Sequence, residues 1–70
     1  MIIDALKKKY EAEIASAKAN INVYQTNPAG IGEHPDIVQA VDSEVVKLAD
    51  AEDKLGTLNK HYGHQPDLLT

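Results

Sequence analysis

The chain has no cysteine, no tryptophan and no phenylalanine. Without cysteine there is no disulfide staple and no thiolate metal site. Three tyrosines are the only aromatic residues, so a core built on large rings is excluded as well. Arginine is missing too, since all seven basic residues are lysine. With no arginine and a formal net charge of -4, the footprint of a nucleic-acid binder is absent, and no such partner is expected. No apolar run approaches the ~20 residues of a membrane span. The start, MIIDALKKKY, lacks a secretory pattern, because its lysines follow a very short apolar run. No membrane partner is expected, and the expected location is the cytoplasm. Seventy residues make one domain, 1–70, of a size that often depends on a staple or a partner.

Proline and glycine are few and clustered. Two of the three prolines and two of the four glycines fall in NPAGIGEHPD, Asn27 to Asp36. On either side lies an apolar series with helical spacing. The first is Ile3, Leu6, Tyr10, Ile14, Ala17, Ile21 and Tyr24, in steps of three and four, which puts one stripe on a helix. Asp4–Lys8, Lys7–Glu11 and Lys9–Glu13 are four apart and lend side-chain support. Pro28 disfavours the helical conformation at Asn27, so this helix is expected over roughly 2–26. The second series is Val38, Val41, Val45, Leu48, Ala51, Leu55, Leu58 and Tyr62. Pro35 suits a first helical position, with His34 as cap by position and Asp36 favourable to the helix dipole. Asp50–Lys54 has the favourable acid-first order. Gly63 fits a left-handed cap, which predicts a helix over roughly 35–62 and a short tail at 63–70. Pro66 bars quick resumption of the helix, and Leu68 and Leu69 would dock back or fray.

Two helices of nearly equal length joined by a short loop fold back on each other. The expected fold is all-α, an antiparallel two-helix hairpin. Each stripe is a seam of about two apolar residues per heptad, too narrow to be a broad core face. Ile2, Val23, Ile37 and Val46 lie off the stripes and offer a second contact face. Docking a second hairpin, or another protein, would complete a four-helix bundle, and a homodimer is the expected form. Charge agrees weakly with docking of the two halves. Residues 1–32 balance at +1 and residues 33–70 at -5. The expected seam is Leu6, Tyr10, Ile14, Ile21 and Tyr24 against Val41, Val45, Leu48, Leu55, Leu58 and Tyr62.

Chemistry-bearing patterns fail one by one. Gly30-Ile31-Gly32 lacks the third glycine and βαβ setting of a dinucleotide loop and the Gly-Lys-Ser/Thr of a phosphate loop. These glycines are read as permitting chain reversal. His61 and His64 are three apart, but Gly63 lies between them and should end the helix. His34 sits at the bend, roughly 40 Å from the open end at 1.5 Å per residue, too far to complete a zinc site within one chain. No glutamate has a histidine three residues on, as inward bundle metal sites require. Asp50, Glu52 and Asp53 read as a solvated face, and Ser16 and Ser43 have no histidine beside them. The tyrosines fall on the stripes as core or interface residues. The chain is therefore not expected to be an enzyme, and no cofactor, metal or small-molecule substrate is expected. Ile31 and His34 in the loop are left as candidate partner contacts.

Over Val23 to Leu55, VYQTNPAGIGEHPDIVQAVDSEVVKLADAEDKL, the sequence resembles a family of small uncharacterised helical proteins of T-even-like marine phages, cyanophages among them. Their Lys/Glu/Ala-rich first helix, Asn-Pro-x-Gly-Ile-Gly-Glu-His-Pro centre and acidic second helix are matched up to about Tyr62. The resemblance implies a phage source and expression in the cytoplasm of an infected bacterium, or incorporation into the virion. It carries over no catalytic residue. The expected function is a protein–protein interaction module that acts on a host protein. The alternative is a structural or assembly component of the virion.

Overall fold

The computed structural model describes residues 1–26 and 36–63. They form two helices, α1 (Ile2–Thr26) and α2 (Ile37–Tyr62). The pair is an antiparallel hairpin. Lys7, near the start of α1, donates from Nζ to the carbonyl oxygen of Tyr62 at the end of α2, at 3.0 Å. Farther along, Asn20 meets Glu44. The first helix has the expected bounds. Expectations for Pro28, Gly30, Ile31, Gly32, His34, Pro35, His64, Pro66, Leu68 and Leu69 lie outside the described residues.

The start of α2 corrects the expected cap. Asp36 is the N-cap, and its Oδ1 accepts a hydrogen bond from the Gln39 backbone N–H at 2.8 Å. An aspartate satisfies one of the unpaired donors of the first turn, which a histidine does poorly. The helix accordingly begins at Ile37, later than the 35 expected. At the other end, Lys60 and His61 stand in the last turn, where positive charge opposes the helix dipole. Gly63 follows with φ -86, so the expected left-handed cap is not formed. Glycine is needed there for a different reason: an added Cβ would collide with the backbone carbonyl of Asn59.

The helices meet along a seam with a strict alternation of four and three. On α2 the inward residues are Ile37, Val41, Glu44, Leu48, Ala51, Leu55 and Leu58, all buried or half-buried. Val38 and Val45, expected on this stripe, are 80% and 44% exposed. Ile37 and Glu44 take their places. On α1 all seven expected residues are buried or half-buried, and Lys7 joins them. Including Lys7, the series 3, 7, 10, 14, 17, 21, 24 alternates as strictly as that of α2. Each helix thus places one charged residue in an otherwise apolar seam.

The core is slight. Among the described residues only Ala17, Ala51 and Glu44 are buried, and no large side chain is fully buried. Of the expected i,i+4 pairs, Lys9–Glu13 at 2.8 Å and Lys54–Asp50 at 3.0 Å are present. Lys8 instead pairs with Glu11, and Asp4 with the N-terminal ammonium. Gly56 is an exposed glycine inside α2, and a Cβ there would meet nothing. Gly56→Ala is therefore expected to stabilise the hairpin by about 0.5–1 kcal/mol, read as a higher urea midpoint. An unchanged or lower midpoint would show that this position is crowded in solution.

Candidate functional site

The seam has two unlike flanks. On one, Glu44 is 8% exposed and held at both oxygens. Asn20 donates to Oε1 at 3.1 Å from α1, and Lys47 donates to Oε2 at 3.2 Å from one turn on. Lys47 is i+3 from Glu44 and Asn20 is i+3 from Ala17, so both side chains rise on the same side of the seam. With Glu13, Ser16 and Asp50 they line an open groove of ≈ 420 Å³. Further along this flank Leu6, Tyr10, Lys54, Thr57 and Leu58 line a second groove of ≈ 240 Å³. Lys9 and Lys54 lie over the Tyr10 ring, 5.0 and 5.6 Å from its centre.

The hydrogen bond from Asn20 holds the Glu44 carboxyl below its ordinary value of 4.5, and the bond from Lys47 adds to this against the effect of burial. Bonding to Glu13 raises the Lys9 ammonium, and bonding to Asp50 raises Lys54. For Glu44 the folded pKa is the lower one. Its contribution is therefore fully present above the unfolded value and is lost as pH falls through the folded value. Wild-type protein is expected to lose more of its urea midpoint between neutral pH and the acid side of 4.5 than Glu44→Gln does. Equal losses in the two proteins would count against a lowered Glu44.

Ser16 lines the larger groove, but no histidine does. Among the described residues no three histidines and acids stand together as a metal site. His61 is exposed and rests against Tyr62, ring centres 6.4 Å apart.

The other flank carries exposed valines, Val38 and Val45. Val45 lies i+4 from Val41 and i-3 from Leu48, and Val38 lies one heptad earlier, so both valines border the seam on the side away from Lys47. Ile14 and Ile21 border it from α1, half-buried. Of the expected seam residues, Leu6, Tyr10, Ile14, Ile21, Tyr24, Val41, Leu48, Leu55 and Leu58 lie at the helix–helix contact. Val45 does not, and Tyr62 at the open end is 59% exposed. Sequence reasoning missed Glu44, Asn20 and Lys7. The strict alternation of four and three running through positions 44 and 7 was the available signal. No family model, no curated relative and no solved structure matches the chain.

Proposed function

We propose that the protein is a non-enzymatic protein–protein interaction module whose working surface is the valine-bearing flank of the hairpin. One observation carries this reading. The described core fully buries only two alanines among its apolar residues, while Val38 and Val45 stand exposed beside half-buried Val41 and Leu48. Apolar flank and thin seam form one continuous strip, which a second pair of helices would cover. The opposite flank has its charges already paired and is the poorer docking face. No described helix is long and apolar enough to cross a membrane.

The resemblance over Val23–Leu55 supports a phage source, and a protein partner in the infected bacterial cytoplasm fits an acidic chain of this kind. Affinity capture on the wild type, with Val38→Asp/Val45→Asp as the control, tests the working surface. A partner, or the protein itself, retained by the wild type and lost from the variant is the expected result. Identical retention by both would overturn the assignment. High copy number in purified virions would make the hairpin an assembly component instead of a host-directed one.

A further inference from the structure

We draw no further inference here: the strongest candidate, the exposed strip of Val38 and Val45 beside the helix–helix seam, belongs to the interaction surface already described, and nothing in the structure shows what covers it.

Discussion

Aspartate at Ala17 is expected to unfold the hairpin, while aspartate at Ala19, two residues on, is expected to leave it folded. The two alanines share a helix, a helix propensity and a neighbour in Lys18. They differ in place: Ala17 is 2% exposed, at the contact between the helices, and Ala19 is exposed. A carboxylate at Ala17 would be caught between α1 and α2, and would either lose water without a partner or force the helices apart. That costs about 3 kcal/mol or more. A chain of this length has roughly 4–10 kcal/mol in total, and this one, with so few buried side chains, belongs at the lower end. An exposed substitution such as Ala19→Asp changes stability by about 0.5 kcal/mol at most. Urea unfolding followed by helical circular dichroism separates the two cases. Similar midpoints for both variants would mean that the contact at Ala17 is not the core of the protein in solution.

Ala17 was legible in the sequence, and so were the bounds of α1 and its apolar stripe, though not the place of Lys7 in the seam. Its stripe is apolar at Ile3, Tyr10, Ile14, Ala17, Ile21 and Tyr24, so hydropathy and geometry agree there. On α2 they part. Val38 and Val45 are apolar and Glu44 is an acid, so hydropathy alone selects the valines. Geometry favours Glu44, because the series 37, 41, 44, 48, 51, 55, 58 alternates four and three without a break. The series through Val45 takes two successive steps of three, 45 to 48 to 51, and drifts around the helix. The cap was expected at His34, although the signal for Asp36 was present: aspartate followed three residues on by glutamine is a helix-start pattern, and Asp36 accepts from the Gln39 backbone N–H. The conformation at Gly63 was not legible, since the same residue serves a left-handed turn or a close approach, and here Asn59 makes it the latter. Nor was the asymmetry of the two flanks, which depends on how the helices face each other and not on either helix alone.

Glu44→Leu is expected to raise the thermal midpoint by about 10 °C and to blur the association state. The position is an inward one, and leucine there would extend the run of Val41, Leu48, Ala51 and Leu55. Removing the carboxylate leaves little unsatisfied. Asn20 is exposed and can turn to water, and Lys47 is exposed at the rim. The lowered pKa of Glu44 does not argue otherwise. It says that the ionised carboxyl is better here than the protonated one, not that it is better than leucine. What the acid adds is discrimination. A slip of α2 along α1 by one heptad would bring Glu44 level with Glu13 in place of Asn20, setting like charge against like. With leucine at 44 that register has no penalty, and a longer apolar seam is open to further copies. Sedimentation velocity is therefore expected to show a broader distribution, with species larger than that of the wild type, in Glu44→Leu, and a single species in the wild type. Glu44→Gln, which also lacks the charge but adds no apolar surface and keeps an oxygen for Asn20, is expected to broaden less than Glu44→Leu. A lower midpoint in Glu44→Leu would show that the carboxylate contributes stability itself, and the register argument would then be unnecessary.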